Sequence, residues 1–314
     1  MNTPLLYLGE EDGNRIFVKR EDLYPLSMGG NKARIAEAWF REIDARDWSC
    51  VVTCGGVGSN LCRVAANLAA ARGMGCLLLM HTGREGDSFN RRLAILSGAR
   101  ILYCPPERLG QTIEARLAEL RDAGERPFFI PGGGRGVPGF QAYAECYREI
   151  RADEQSAVVA FDYLFVPSGT GTTQAGLVCG QLRAEDPCRV VGVSVARSRE
   201  RGRPVILDNV RQYFAHEKLP LSEPDLENAV VFEDAWTGGG YGLGDYSDTL
   251  REVWNRYGLP LDNTYTGKAF YGMRQYLKEH AIRGKTVLFI NTGGLPLLFD
   301  DLLLREQHEG GERA

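Results

Sequence analysis

The sequence is poor in histidine and lacks paired cysteines. Its four histidines are far apart, without a pair at i, i+4, and no two of its eight cysteines form a Cys-x-x-Cys motif. Transition-metal sites are usually built from such closely spaced ligands. No metal site is therefore predicted, and the cysteines, which stand mostly in apolar surroundings, are expected to be buried thiols.

An excess of one charge and long apolar runs are also missing. The formal net charge is −4 and Lys and Arg are dispersed, so neither a nucleic-acid partner nor a membrane surface is expected. No apolar stretch is long enough to span a bilayer, and the N-terminus lacks the charged start of a signal peptide. These absences favour a cytoplasmic protein that binds small molecules.

Three common catalytic or nucleotide-binding motifs are absent as well. The chain has no Gly-x-Ser-x-Gly elbow, which argues against a serine hydrolase. Its hydroxyl-rich loop does not run into Gly-Lys-Ser or Gly-Lys-Thr, so that loop is not a Walker motif. Gly56-Val57-Gly58 could begin a dinucleotide fingerprint, but Leu61 stands where the third glycine would be.

What the sequence does contain is an alternation of apolar strands and amphipathic helices, the pattern of an α/β fold with parallel sheets. The expected helices include Lys32–Arg46, Leu61–Arg72 and Asp87–Leu96. The expected strands are Arg15–Lys19, Val51–Cys54, Cys76–Met80, Ile101–Cys104, Phe128–Pro131, Tyr163–Val166, Val190–Val195 and Thr286–Asn291.

These elements predict two parallel-sheet units with a ligand cleft at the carboxyl ends of their strands. We expect a small inserted domain over residues 47–144 and a large domain made of residues 1–46 and 145–314. The stretch Arg197–Asn228 is rich in charge and proline and is expected to be a mobile excursion.

A lysine beside glycines is the most informative motif. In Gly29-Gly30-Asn31-Lys32, at an expected helix start, the glycines allow a bulky ligand to approach the backbone. An amine in this setting suggests a lysine that forms a Schiff base with an aldehyde cofactor.

A second motif complements the lysine. Residues 168–173, Ser-Gly-Thr-Gly-Thr-Thr, follow an apolar strand and begin a helix. Backbone N–H groups, hydroxyls and the helix dipole at such a turn favour a dianion, so the segment is typical of a phosphate site.

Other glycine-bearing segments also follow strands. Ser59 and Asn60 come after one strand, as ligand contacts or simply as a helix cap. The segment Gly132–Gly136, with Arg135, follows the expected strand Phe128–Pro131. The segment Asn291-Thr292-Gly-Gly ends the expected strand Thr286–Asn291. Two tyrosines, Tyr241 and Tyr265, stand among glycines and are further candidates.

Taken in order, these motifs resemble the pyridoxal-phosphate enzymes typified by D-cysteine desulfhydrase and 1-aminocyclopropane-1-carboxylate deaminase. The resemblance runs from Val18-Lys-Arg-Glu-Asp to Phe299. It implies the tryptophan-synthase-β-like fold, called fold type II, with pyridoxal phosphate in the cleft between two domains. It also implies a small amino acid as substrate and a homodimer.

The resemblance also implies residue roles. Lys32 would bind the cofactor covalently, Asn60 its ring hydroxyl, Thr292 its ring nitrogen, and residues 169–173 its phosphate. The implied cofactor contacts are therefore Lys32, Asn60, Gly169, Thr170, Gly171, Thr172, Thr173 and Thr292. The implied catalytic residues are Lys32, Ser59, Tyr241 and Tyr265. The implied substrate contacts are Ser59, Tyr241 and Arg135.

The reaction is inferred from one position. Family members that open the cyclopropane ring carry an acidic residue after the second tyrosine, whereas this chain has Thr266. Desulfhydrase-like β-elimination is therefore expected, with release of ammonia and a keto acid. β-Replacement, ring opening and a catalytically silent cofactor-binding protein are the alternatives.

The chain departs from the family pattern in three segments. Gly58 and Leu61 replace the family's usual Gln and His around Ser59-Asn60, and Gly244 replaces a proline after the first tyrosine. Arg135, where the family has a serine, is expected to contact a carboxylate or sulfonate on a substrate larger or more anionic than cysteine.

Overall fold

The computed structural model describes residues 2–81 and 87–311. Its strands are β1 (Leu5–Glu11), β2 (Asn14–Lys19), β3 (Cys50–Gly55), β4 (Gly75–His81), β5 (Arg100–Cys104), β6 (Pro127–Ile130), β7 (Tyr163–Ser168), β8 (Arg189–Ser194), β9 (Val231–Glu233) and β10 (Thr286–Ile290). Its helices are α1 (Asn31–Asp44), α2 (Asn60–Ala70), α3 (Phe89–Leu96), α4 (Leu109–Asp122), α5 (Val137–Ala157), α6 (Thr172–Arg183), α7 (Arg199–Glu217), α8 (Glu223–Ala229), α9 (Ser247–Tyr257), α10 (Thr266–Glu279) and α11 (Leu295–Gly311).

The strands form two sheets. The larger sheet has the order β1-β2-β10-β7-β8-β9, and the smaller has the order β5-β4-β3-β6. All pairings in the smaller sheet are parallel, as are those of the larger sheet from β2 to β9. This confirms the predicted α/β class, while the domain boundaries at residues 47 and 144 stay a prediction.

The edge strand β1 was not predicted. It pairs antiparallel with β2 through a tight turn in which Asp12 has φ 49° and Gly13 has φ 78°. Two consecutive left-handed residues of this type form a type I′ hairpin turn, for which Asp-Gly is a favoured sequence. The signal was therefore present, but β1 is half exposed and its apolar pattern is weak.

The helix that follows the hydroxyl-rich loop is held by close packing. An added Cβ at Gly176 of α6 would lie 2.5 Å from the Cβ of Tyr143, and one at Gly180 would lie 2.4 Å from the Cβ of Tyr147. Both tyrosines belong to α5 and are buried. Glycine at these two positions therefore lets α5 and α6 approach closely, which fixes where the first turn of α6 lies.

The expectation of a mobile excursion over Arg197–Asn228 is wrong. Most of this stretch forms α7 and α8, and α7 buries an apolar stripe that includes Ile206, Val210 and Phe214. The charges that suggested mobility lie on the solvent side, where Arg211 pairs with Glu223 at 2.8 Å. No helix in the described part of the chain is long and apolar enough to cross a membrane.

Candidate active site

Lys32 lies in the first turn of α1, close to the smaller sheet. Its Nζ donates a hydrogen bond of 2.9 Å to the carbonyl oxygen of Gly133, which follows β6. Burial lowers the pKa of the Lys32 amine to about 8. The helix begins after Gly30, whose φ is 94°, and an added Cβ there would lie 2.8 Å from the carbonyl oxygen of Thr292.

The loop at residues 168–173 lies beside this lysine. Asn31 donates from Nδ2 to the hydroxyl of Thr173 at 2.9 Å, and the Thr172 hydroxyl donates to the Gly133 carbonyl at 3.3 Å. An added Cβ at Gly133 would lie 2.3 Å from the Thr170 hydroxyl oxygen. The structure thus brings Lys32 and the predicted phosphate loop together around Gly133.

The first turn of α6 is open to an anion. No side chain caps it, and its N-cap, Gly171, has the left-handed φ of 89°. The first N–H groups of a helix lack partners within the helix, and the helix dipole favours negative charge near them. A phosphate group placed at this turn would satisfy them.

Asn209 supplies an independent test of that fit. Its Nδ2 is buried without a hydrogen-bond partner among the described residues, and it lies 3.6 Å from the position of an added Cβ at Gly171. Leaving a buried donor unsatisfied costs about 1–3 kcal/mol. A phosphate oxygen at the Gly171 turn is the kind of acceptor this amide lacks, so these residues fit a phosphorylated cofactor.

Sequence reasoning missed Asn209. It lies in the middle of α7, inside the stretch that was expected to be mobile. Nothing in the local sequence marks an asparagine at this position, because its proximity to Gly171 depends on how α7 packs on α6.

Tyr241 and Tyr265 lie near each other, and Tyr241 packs against Gly169 of the same loop. Their ring centroids are 5.9 Å apart, and an added Cβ at Gly169 would lie 2.7 Å from the Tyr241 hydroxyl oxygen. Burial raises the pKa of both phenols, although the guanidinium of Arg197 opposes the shift at Tyr241. Both hydroxyls are therefore protonated at neutral pH and able to donate.

The loop that carries Tyr241 is held by Lys268. The fully buried Lys268 donates from Nζ to the carbonyl oxygens of Val195, Thr237 and Gly240 at 2.5–2.9 Å. Val195 directly follows β8, and Thr237 and Gly240 lie just before Tyr241. One ammonium therefore ties the tyrosine loop to the carboxyl edge of the larger sheet.

Ser59 and Asn60 begin α2. The Ser59 hydroxyl accepts a hydrogen bond of 3.2 Å from the backbone N–H of Cys62, so Ser59 does cap the helix, as the alternative interpretation proposed. The Asn60 Oδ1 accepts a hydrogen bond of 3.0 Å from Nδ2 of Asn90. The roles of Ser59 and Asn60 toward ligands stay predictions.

Thr292 lies next to the start of α1. It is nearly buried, and its carbonyl oxygen accepts a hydrogen bond of 2.9 Å from the backbone N–H of Asn31. The segment Asn291-Thr292-Gly293-Gly294 and the lysine turn therefore pack against each other, which places two of the predicted cofactor-binding segments side by side.

A buried carboxylate that was not predicted holds the start of α10. Asp262 accepts hydrogen bonds from the backbone N–H groups of Thr264 and Tyr265 at 2.9 and 2.7 Å and from the Thr266 hydroxyl at 2.7 Å. Burial nevertheless raises its pKa. An added Cβ at Gly294 would lie 2.3 Å from its Oδ2, so that glycine is required for the close approach.

Arg135 is exposed and, among the described residues, forms no hydrogen bond or ion pair. Its neighbours Gly134 and Gly136 pack against Ile35 and Trp39 of α1. No neighbouring side chain therefore holds Arg135 in place, and its contact with a substrate anion stays a prediction.

In the described part of the chain, no group of three or more His, Cys, Asp or Glu could hold a metal ion, and all eight cysteines are buried.

Comparison with known proteins identifies consistent relatives. The family model described as "Pyridoxal-phosphate dependent enzyme" matches residues 1–293. A D-cysteine desulfhydrase of Yersinia pestis is 31% identical over 303 residues, which cover 93% of this chain and 89% of that protein. A protein of Pyrococcus abyssi with a provisional name as a 1-aminocyclopropane-1-carboxylate deaminase is 31% identical over 95% of this chain and 90% of its own length.

Solved structures agree with these matches. A crystal structure described as an ACC deaminase homologue superimposes with a TM-score of 0.87 and 29% identity, covering 97% of this chain and 94% of that one. An O-ureido-L-serine synthase matches with a TM-score of 0.66 and 22% identity over 95% and 92% of the two chains, a likeness that shows the fold alone.

Proposed function

Because this chain belongs to the family of pyridoxal-phosphate dependent enzymes, we propose that it is a lyase that removes the α-proton and then a β-substituent from a small amino acid. The family match and the similar structure confirm the predicted cofactor and the fold type II architecture. Water then hydrolyses the enamine that the elimination leaves, so the products are the departing β-substituent, ammonia and a keto acid.

The residues that would hold the cofactor lie on five segments. The Lys32 amine would hold its aldehyde carbon, residues 169–173 together with Asn209 would hold its phosphate, and Asn60 and Thr292 would contact its ring. When bound, pyridoxal phosphate supplies an electron-poor ring that accepts the electron pair left on the α-carbon after loss of the proton.

Lys32 is suited to take that proton. With a pKa of about 8, about a tenth of its amine is neutral at pH 7, against roughly three in ten thousand for an ordinary lysine. A general base works best when its pKa is close to the operating pH. Burial in the first turn of α1 thus gives this amine a neutral fraction large enough to act as a general base, which a solvated lysine lacks.

The two tyrosines supply the complementary acid. Their raised pKa values keep the hydroxyls of Tyr241 and Tyr265 protonated, so that either can donate to a leaving group or to a substrate carboxylate. The elimination then balances: the amine takes the α-proton, the β-substituent leaves with its bonding pair, and a hydroxyl protonates it.

The single observation that favours β-elimination over ring opening is the threonine at position 266. Its hydroxyl is fully buried and donates to Asp262, so the position that holds an acidic residue in ring-opening members holds no ionisable group here. Ring opening requires proton transfer at a carbon beyond the α-position, for which that acid is suited. The similarity to a D-cysteine desulfhydrase supports the same choice.

A substrate panel tests the proposal. Purified protein should release pyruvate and ammonia from cysteine, β-chloroalanine or O-substituted serines without an added nucleophile, and no 2-oxobutyrate from 1-aminocyclopropane-1-carboxylate. D- and L-forms are assayed separately. Product only with an added nucleophile would indicate β-replacement, 2-oxobutyrate would indicate ring opening, and a visible cofactor band without any product would indicate a silent binder.

The family resemblance also supports a homodimer that works in the cytoplasm without a nucleic-acid partner. Light scattering of the holoprotein after size exclusion should give twice the chain mass of 34.8 kDa. A monomer with full activity would contradict this part of the proposal.

A further inference from the structure

Arg63 is a buried cation that has no acidic partner in the described part of the chain. It lies on α2, one turn after Asn60, and is 3% exposed. Its Nε donates to Oδ1 of Asn90 at 2.8 Å and its Nη1 donates to the Ser27 hydroxyl at 3.0 Å, and it forms no ion pair within the described residues. Burial of an unpaired charge is unfavourable, and here it lowers the pKa of the guanidinium to about 10. Such a residue requires an explanation.

The hydrogen bonds of Arg63 fix the orientation of the Asn90 side chain. A guanidinium can only donate, so the amide oxygen of Asn90 must face Arg63. On the other side, the carbonyl oxygen of Gly58 can only accept, and it lies 3.0 Å from Nδ2 of Asn90. Both neighbours therefore require the same orientation of this amide.

That orientation is passed on to Asn60. The Nδ2 of Asn90 also donates to Oδ1 of Asn60 at 3.0 Å, so the amide oxygen of Asn60 is engaged. The NH2 group of Asn60 is then the end of the side chain that remains for a ligand. A donor is what the negatively polarised oxygen on the cofactor ring requires.

We infer that Arg63 is a positioning residue, which acts through Asn90 to hold the amide of Asn60 with its NH2 group available to the ring oxygen of pyridoxal phosphate. This inference rests on the proposed function, in which Asn60 contacts the ring. It assigns a role to a buried arginine and to Asn90, neither of which touches the cofactor itself.

The same guanidinium reaches the loop that leads to Lys32. Ser27 has φ 45° and Met28 has φ 59°, and the left-handed run continues through Gly29 and Gly30. Serine and methionine seldom adopt this conformation, so the run needs support from its surroundings. The bond from Arg63 to the Ser27 hydroxyl provides some of it, so that one side chain supports both the lysine turn and the Asn60 amide.

Asn90→Asp is the most informative variant. The new carboxylate keeps the shape and still accepts from Arg63, but it cannot donate to Asn60. The Asn60 amide is then expected to turn its NH2 toward the carboxylate and its oxygen toward the cofactor. We expect the dissociation constant of pyridoxal phosphate to rise about tenfold or more, because two acceptors then face each other.

A spectroscopic titration distinguishes this effect from a general loss of structure. A hydrogen bond donated to the ring oxygen favours its ionised form, so its loss should raise the pH midpoint of the cofactor's visible absorption band by about one unit. Arg63→Met, which removes the donor to Asn90, should shift the midpoint in the same direction. Arg72→Met, at an exposed arginine just after α2, is the matched control and should shift neither quantity.

A double-mutant cycle shows whether Arg63 acts through Asn60. In an Asn60→Leu background, Arg63→Met should cause no further shift of the midpoint. An equal shift in both backgrounds, or unchanged binding and midpoint in Asn90→Asp and Arg63→Met, would overturn the inference. Wild-type protein that shows the band but releases no keto acid would contradict the proposed lyase activity alone, and wild-type protein without the band would overturn both.

Discussion

The amine of Lys32 and the carbonyl oxygen of Gly133 are joined by a hydrogen bond of 2.9 Å. Lys32 begins α1, whereas Gly133 follows β6 of the smaller sheet, so the bond connects two segments about a hundred residues apart. Gly133 has φ 72° and lies against Thr170 of the phosphate loop. Two parts of the proposed cofactor site, the lysine turn and the phosphate loop, thus meet at one glycine.

Substitution of that glycine should damage the site directly. In Gly133→Ala, the added methyl combines an unfavourable left-handed φ with a contact 2.3 Å from the Thr170 hydroxyl. We expect the free energy of unfolding to fall by about 1–3 kcal/mol and the affinity for pyridoxal phosphate to fall at least tenfold. Denaturant unfolding and cofactor titration measure the two effects.

Gly124→Ala is the matched control for this variant. Gly124 has φ 84°, but nothing lies within 4 Å of an added Cβ. The variant should lose about 1 kcal/mol of stability, because alanine is unfavourable at a left-handed φ, and it should keep its cofactor affinity. Equal cofactor affinity in the two variants would show that Gly133 does not shape the site.

Reaction of the cofactor-free protein with pyridoxal phosphate should depend on pH through Lys32. Only the neutral amine attacks an aldehyde, and the neutral fraction grows as pH rises through the amine's pKa. Because burial lowers that pKa to about 8, the rate should rise with pH and level off above roughly pH 9. Stopped-flow absorbance between pH 6.5 and 10.5 measures the profile. A rate that still rises about tenfold per pH unit between pH 8 and pH 9.5 would indicate a lysine of ordinary pKa.

Removal of the Lys268 ammonium should loosen the Tyr241 loop. In Lys268→Met, the carbonyls of Val195, Thr237 and Gly240 lose a common donor. We expect kcat to fall by tenfold or more while the affinity for pyridoxal phosphate changes less than about threefold, because the loop carries Tyr241, a proposed catalytic residue, and none of the residues proposed to hold the cofactor. Steady-state kinetics and cofactor titration separate the two.

Lys278→Met provides the comparison, because Lys278 is an exposed lysine near the end of the same helix, α10. It should match the wild type in both measurements. A Lys268→Met variant that retains wild-type kcat would contradict the role of the ammonium in holding Tyr241.

Local patterns predicted the segments of the proposed site that lie at strand ends. Lys32, Ser59-Asn60, residues 168–173 and Thr292 all follow buried strands or begin helices, and parallel strands direct such segments to one edge of a sheet. Glycine and hydroxyl residues at these points were therefore readable without a structure. Asp12-Gly13 also indicated the hairpin turn after β1, but the apolar pattern of β1 was too weak to predict the strand.

The remaining site residues could not be predicted, because their partners are distant in sequence. Asn209 and Arg63 lie within helices, and only tertiary packing brings them to Gly171 and to Asn90. Charge and proline in Arg197–Asn228 suggested mobility, although Ile206 and Phe214 bury one face of a helix there. The charged residues that dominate the composition of α7 face solvent, whereas the apolar residues on its other face pack against the core.

The covalent attachment of the cofactor to Lys32 is the central claim, and peptide mapping tests it most directly. The holoprotein is reduced with borohydride, digested and analysed by mass spectrometry. We predict that the phosphopyridoxyl group is found on the peptide that contains Lys32, and that Lys32→Ala protein lacks both the label and the visible band. Label on Lys19, Lys218, Lys268, Lys278 or Lys285 instead, or a band that persists in Lys32→Ala, would contradict the account.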